Sequence, residues 1–157
     1  MTSAALRPLQ PAEIEVVCAL WRRSRTDAQP WLEERMGHTP QDDLEFFSGH
    51  IALENRIWVA VDEAAVVGFL AIHDGHVNYL YVDPPAQNRG IGTLLLDKAR
   101  ALSPNGLTLF THQRNAKARA FYERRGFRAV AFGVSPAPES EPDVKYEWRP
   151  VAGGGAV

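Results

Sequence analysis

Cysteine is nearly missing from this chain, and Cys18 is its sole example. One cysteine excludes an internal disulfide and a cysteine metal cluster. Its place in a helical apolar pattern reads as a buried structural thiol. Lysine is scarce too, with 3 Lys against 14 Arg, and the formal net charge is only −2. That balance removes the bulk electrostatic case for nucleic-acid binding. No apolar run reaches the roughly 18 residues of a membrane span, and no basic segment followed by an apolar one opens the chain. The expectation is therefore a soluble, cytoplasmic protein with no membrane partner. Internal repeats are absent. His38 and His50 stand as singletons and are not read as metal ligands.

What remains is an ordinary globular composition in 157 residues, enough for one proper core. One domain over 1–150 is expected, followed by a flexible tail at 151–157 marked by Gly153-Gly154-Gly155. Leu6 to Leu9 reads as a short strand. Pro11 opens a helix with Glu13 in its first turn, and Ile14, Val17, Cys18 and Trp21 share one face. Thr26 to Pro40 has no clean period. Gln41-Asp42-Asp43 begins another amphipathic helix through Leu44, Phe46, Phe47 and Ile51. Strands follow at 57–61, 66–72 and 76–82, with a tight turn at Asp74-Gly75. A helix runs from Ile91 to Leu102, a strand from Leu107 to Thr111, and a helix from about Ala116 to Arg125 with Asn115 as its cap. Phe127–Phe132 and Val144–Trp148 read as the last strands, around a loop at 133–143.

Three constellations carry chemistry. The first is Gln87-Asn88-Arg89-Gly90-Ile91-Gly92, between a strand and a helix. Glycines let main-chain amides approach a ligand, the helix start adds partial positive charge, and Arg89 adds a full one, so the loop reads as a phosphate cradle. It lacks the Gly-Lys-Ser/Thr of a P-loop and the glycine spacing of a dinucleotide fingerprint. The second is the helix face of Asn115, Ala118, Arg119 and Tyr122. Ala118 leaves room for a ligand along this face, and the Tyr122 phenol can donate a proton. The third is the strand that feeds the cradle. Strict alternation puts His76, Asn78 and Leu80 on one side and Val77, Tyr79 and Tyr81 on the other. His76 there is suited to proton transfer near neutral pH.

Leu80-Tyr81-Val82-Asp83-Pro84, the Gln87–Gly92 loop and Asn115-Ala116-Lys117-Ala118-Arg119-Ala120-Phe121-Tyr122-Glu123-Arg124-Arg125-Gly126-Phe127 together resemble the GNAT (Gcn5-related N-acetyltransferase) family over roughly residues 5–149. The resemblance implies an α+β fold: a mixed, mostly antiparallel sheet flanked by helices, with two parallel strands splayed to hold acetyl-CoA as co-substrate. It implies pantetheine pairing with the main chain at Leu80, Tyr81 and Val82. The pyrophosphate would lie on amides from Gln87 through Asn88, Arg89, Gly90, Ile91 and Gly92 to Thr93. Asn115 and Ala118 would border the thioester end, and Tyr122 would protonate the departing thiolate. No metal is implied. Position six residues before Val82, where many members carry glutamate, is His76 here, which makes His76 the expected base, directly or through water. The implied activity is N-acetylation of a primary amine, on a small molecule or on a protein lysine or N-terminus. The rival is a non-catalytic acyl-CoA-binding regulatory module. A homodimer is common in such folds. Acidic residues at 22–45 and 133–143 suggest a rim suited to a cationic acceptor.

Overall fold

The computed structural model describes residues 3–151, so the expected glycine tail lies outside the described residues. Seven strands form one sheet in the order β1-β2-β3-β4-β5-β7-β6. They are β1 (Ala5–Pro8), β2 (Arg56–Asp62), β3 (Ala65–His73), β4 (His76–Val82), β5 (Leu107–His112), β6 (Arg128–Val134) and β7 (Pro142–Trp148). All neighbours run antiparallel except β4 and β5. The loop expected at 133–143 is shorter than its composition suggested. Gly133↔Asp143 and Val134↔Pro142 pair as the closing rungs of the β6–β7 hairpin.

Helices α1 (Ile14–Ala28), α2 (Pro30–Met36) and α3 (Pro40–Phe46) precede the sheet's centre. The aperiodic stretch after Thr26 thus holds the end of α1 and a short α2, broken by Pro30 and by Gly37 at φ +65°. Thr39 and Asp42 form a capping box on α3. The chain continues through a π-helical turn at Phe47–Ile51 and a last turn, α4 (Ala52–Glu54). His50 is not solitary, because Glu54 lies 3.4 Å from its Nδ1 one turn on. Helices α5 (Ile91–Leu102) and α6 (Ala116–Arg124) come later. None of the helices among the described residues is long and apolar enough to cross a membrane.

Two cores sandwich the sheet. On one face Ile91, Leu95, Leu96 and Ala99 of α5 pack with Leu70, Leu107, Leu109, Tyr122 and Tyr146. On the other, Val17, Leu20 and Trp21 of α1 pack with Phe47, Ile51, Val59 and Phe69. Cys18 is buried there, as its helical position requires.

Strict alternation fails on β4, and that failure positions the site. Ala71 pairs with Tyr79 and Ile72 with Val77, which leaves Asn78 as the extra residue of a β-bulge. A bulge exchanges the faces on either side of it. Val77 packs with Leu80 and Val82 on the α5 face, whereas Tyr79 and Tyr81 pack on the α1 face. His76 therefore shares the α1 face with Tyr79 and Tyr81, not with Leu80.

Candidate active site

The parallel β4–β5 pair has one register contact among the described residues, His76↔Thr108. Beyond it the strands part, and a cavity of about 500 Å³ opens at their far end. Its walls include Leu80, Tyr81 and Val82 of β4, residues 86–88 and 90–93, Asn115, and Ala118, Phe121 and Tyr122 of α6. The sequence motifs meet here although up to 42 residues separate them along the chain (Leu80 to Tyr122).

The cradle is a run of unclaimed amides. Asn88 and Gly90 both take left-handed backbone, at φ +65° and +84°. This curls the loop so that, among the described residues, the amides from Asn88 to Thr93 donate to no backbone carbonyl, and the ladder of α5 starts with Leu94 N to Gly90 O at 3.0 Å. Successive inward amides at a helix start favour an anion. Gln87 departs from expectation. Its amide closes a turn on Pro84 O, while its side chain donates to Val82 O at 3.0 Å and accepts from Lys117 Nζ at 2.7 Å. Arg89 also departs, since its side chain is exposed and is not part of the cavity wall. The positive charge comes instead from Arg114, Lys117, Arg124 and Arg125, which the sequence reading passed over. The Arg124-Arg125-Gly126 end of α6, one helix length after its cap, was the available signal.

Arg125 also fixes the two helices together. Its Nε and Nη2 donate to Thr93 Oγ1 at 3.0 and 2.8 Å, and Nη1 donates to Phe121 O at 2.9 Å. Gly92 lets them close, because a Cβ there would stand 3.1 Å from the Phe121 ring.

Along β4, Asp83 N donates to Val67 O at 2.8 Å. The antiparallel ladder alternates, so the main chain of Tyr81 also turns toward β3, while Leu80 and Val82 turn toward the open gap. Of the three residues expected to offer main-chain pairing, Tyr81 is thus engaged with β3, and its ring stacks on Phe69 in the α1-side core. Val82 O already accepts from Ser24 Oγ at 3.1 Å and from Gln87. The free groups are both of Leu80 and the amide of Val82.

On α6, Asn115 Oδ1 accepts from Ala118 N at 3.1 Å, the expected cap. Tyr122 is buried, edge-on to Phe121 and Phe127 at 5.1 and 5.4 Å. Its hydroxyl has no hydrogen-bond partner among the described residues. Burial, followed by the neighbouring Tyr81, pushes its phenol well up, so it stays protonated near neutral pH. Burial likewise pushes Tyr81 up to about 12.

His76 is not brought to this cavity. It stands at the paired end of the splay, about 20 Å along the strand from Val82 at ~3.3 Å per residue. Its Nδ1 lies 2.7 Å from Thr108 Oγ1 and its ring is against Phe110. Burial, then the charge of Lys145, lowers its pKa.

Three acidic residues of the expected rim, Glu33, Asp43 and Glu141, are paired with arginines. Asp43 pairs with Arg22 and Arg25, and Arg25 also holds Glu33 at 2.7 Å. Glu141, 4% exposed at its side chain, accepts from Trp31 Nε1 at 3.3 Å, Arg35 at 2.9 Å and Arg114 at 2.8 and 3.1 Å. It ties α2, the β5–α6 turn and the 135–141 loop together over one side of the splay.

A family model described as an acetyltransferase (GNAT) domain matches residues 54–129. The peptidyl-lysine N-acetyltransferase YjaB of Salmonella typhimurium is 33% identical over 126 residues, covering 80% of this chain and 83% of the relative. The solution structure of apo-form YjaB from Escherichia coli superposes with a TM-score of 0.76 at 24% identity, covering 94% of this chain and 98% of that one. The PaiA N-acetyltransferase of Thermoplasma acidophilum, solved in complex with coenzyme A, superposes with a TM-score of 0.69 at 19% identity, covering 95% of this chain and all of the other. With a splayed parallel strand pair, an amide cradle at the start of α5 and a buried tyrosine on α6, this chain belongs to the GNAT family of N-acetyltransferases.

Proposed function

We propose that the protein acetylates a lysine-like primary amine from acetyl-CoA by direct transfer, with the residues of the β4–α5–α6 cavity in the following roles. Free amides from Asn88 to Thr93, with Lys117, Arg124 and Arg125, hold the phosphates. Leu80 and the Val82 amide pair with the pantetheine arm, along the small surface left by Ala118. Acetyl-CoA supplies an activated acyl carbonyl and a thiolate leaving group. Tyr122 donates its proton to that sulfur. A thiol's ordinary pKa is about 8.5, so the leaving group needs a proton only as the C–S bond breaks. A raised phenol meets this need, because it is protonated beforehand and is shielded from water.

One observation carries the reading: the residues of the unclaimed amides and Tyr122, whose hydroxyl is unpartnered among the described residues, line the same cavity beside β4. The named activity of the YjaB relative supports a lysyl acceptor. Free-thiol release from acetyl-CoA against a panel of amines and lysine peptides tests the reading, with Tyr122→Phe as the control. Tight CoA binding with no release for any acceptor would support a regulatory module instead.

A further inference from the structure

His112 ends β5 beside the splay, and neither ring nitrogen has a hydrogen bond among the described residues. Its Nδ1 is buried without a partner. Its Nε2 stands 3.7 Å from Glu139 Oε1, too long for a hydrogen bond. The imidazole is 15% exposed and the Glu139 carboxyl 36%. Leu107 and Leu109 face the α5 core, so alternation turns Thr108, Phe110 and His112 toward the α1 side. Counting on from the His76↔Thr108 rung, four residues along each strand, brings Leu80 level with His112. The bulge at Asn78 moves that level by one residue at most. His112 therefore lies across the gap from the part of β4 whose main chain is free. Glu139 reaches the same place. Burial chiefly raises Tyr79 and Tyr81 on β4, and the charge of Glu139 is the last and smallest of the causes that add to it, behind Glu54 for Tyr79 and behind Tyr79 and Glu33 for Tyr81.

Resting on the acetyl-transfer reading above, we infer that His112 is the proton acceptor for the attacking amine, and that Glu139 binds the amine as its ammonium. An ammonium nitrogen set between Nε2 and the carboxylate can donate to both. The buried Nδ1 leaves Nε2 as the nitrogen a substrate can approach. One proton passes from the ammonium to Nε2. The freed lone pair forms the N–C bond at the acyl carbonyl, and the C–S bond breaks as the thiolate takes the Tyr122 proton. The second nitrogen proton, shed on collapse, returns to the Tyr122 oxygen through solvent, and the imidazolium releases its own to bulk. The net yield is amide, thiol and one proton. Charged and titratable groups on the surrounding elements are Glu139 and Glu141 of the loop, Arg35 of α2, Arg114, Asp143 of β7, and Tyr79 and Tyr81 of β4.

The test uses the full chain and begins with CoA binding by calorimetry. Wild type that fails to bind CoA defeats the transferase reading and this inference with it. Where CoA binds, kcat/KM for a lysine peptide is measured from pH 6 to 9.5. The expected loss in His112→Gln is on the order of 10²-fold near pH 7.5, recovering toward high pH where the amine is already neutral. Its CoA affinity should stay within twofold. A second readout needs no turnover: a bisubstrate analogue joining a lysine amine to the CoA sulfur should bind about tenfold more weakly to His112→Gln. Unaltered kcat/KM and analogue affinity in that variant overturn His112 while leaving the transferase reading standing. Should His112→Gln not fold, Glu139→Gln, at a half-exposed loop position, decides. A five- to tenfold rise in amine KM at constant kcat supports the pair, and an unchanged KM and analogue affinity overturn it.

Discussion

The two sides of the β4–β5 splay are built by different means. On the side of α5 and α6, the site is main chain: amides freed by left-handed Asn88 and Gly90, strand groups freed by divergence, and a tyrosine set by helix periodicity. On the side of α1 and α2, it is side chain. Glu141 gathers Trp31, Arg35 and Arg114 from segments up to 110 residues away, and Asp43 gathers Arg22 and Arg25. A main-chain site suits a ligand that every family member must bind. A side-chain site can be rebuilt for a different acceptor without disturbing the first. The contrast predicts that variants of the two sides separate cleanly in kinetics.

The largest expected effect tests the chemistry at the junction of the two sides. Tyr122→Phe should lower kcat by about 10²- to 10⁴-fold, with CoA affinity within twofold, because only the donated proton is lost. Stopped-flow thiol release together with CoA calorimetry checks this. Equal losses in affinity and rate would mean that Tyr122 acts as packing. Next in size is Gly90→Ala. A left-handed alanine costs about 1–2 kcal/mol, and the cradle can relieve it by turning its amides outward. Acetyl-CoA KM should rise about tenfold, while amine KM holds.

The legibility of the sequence follows the same division. Local geometry on contiguous residues was readable: the glycine turn before α5, the Asn115 cap and the helical run through Tyr122 all depend on spacing of at most a few turns. The seven strands were placed for the same reason, with errors of one or two residues where hairpin rungs extend past their apolar part, as at Gly133 and Val134. The bulge at Asn78 was not readable, since nothing in His-Val-Asn-Tyr marks one residue as unpaired. It nonetheless reversed the face assigned to His76. At the rim, composition shows the acidic residues but not the arginines that meet Asp43 and Glu141 from other segments. Arg89 of the loop is exposed and outside the cavity wall, whereas folding brings Lys117, Arg124 and Arg125 to it from α6 and its end.

On the acceptor side, Glu141→Gln should raise amine KM several-fold and leave CoA affinity within twofold. Its hydrogen bond with Arg114, ahead of the remaining partners, holds its carboxyl below the ordinary 4.5. A carboxylate whose pKa is depressed by folding stabilises the fold fully above its unfolded value, and that stabilisation is lost as pH falls through the folded one. Arg114 and Arg35 are 58% and 44% exposed, so solvent screens the cluster and its worth is about 1 kcal/mol. The melting temperature of Glu141→Gln should sit about 2–4 °C below wild type at pH 7. The gap should shrink as pH drops below 4.5. A gap that stays constant down to pH 3 would assign the loss to packing against Trp31, not to charge.

The smallest effect is the sharpest test of where the open part of the splay begins. His76 and His112 lie on the same sheet face, but His76 sits on the one rung where β4 and β5 still pair, and its Nδ1 is engaged by Thr108. Burial, then the charge of Lys145, lowers its pKa and so favours its neutral form. A neutral imidazole is chemically able to accept a proton, so only position argues against it. His76→Gln keeps a donor for Thr108 and should change kcat/KM by less than about twofold from pH 6 to 9, since the variant touches neither the free stretch of β4 nor the far rim of β5. A loss approaching 10²-fold there, with His112→Gln near wild type, would move the acceptor site to the paired end of the strands. Pantetheine would then have to reach past the Asn78 bulge, and the division between main-chain and side-chain halves would fall one strand segment deeper than the geometry places it.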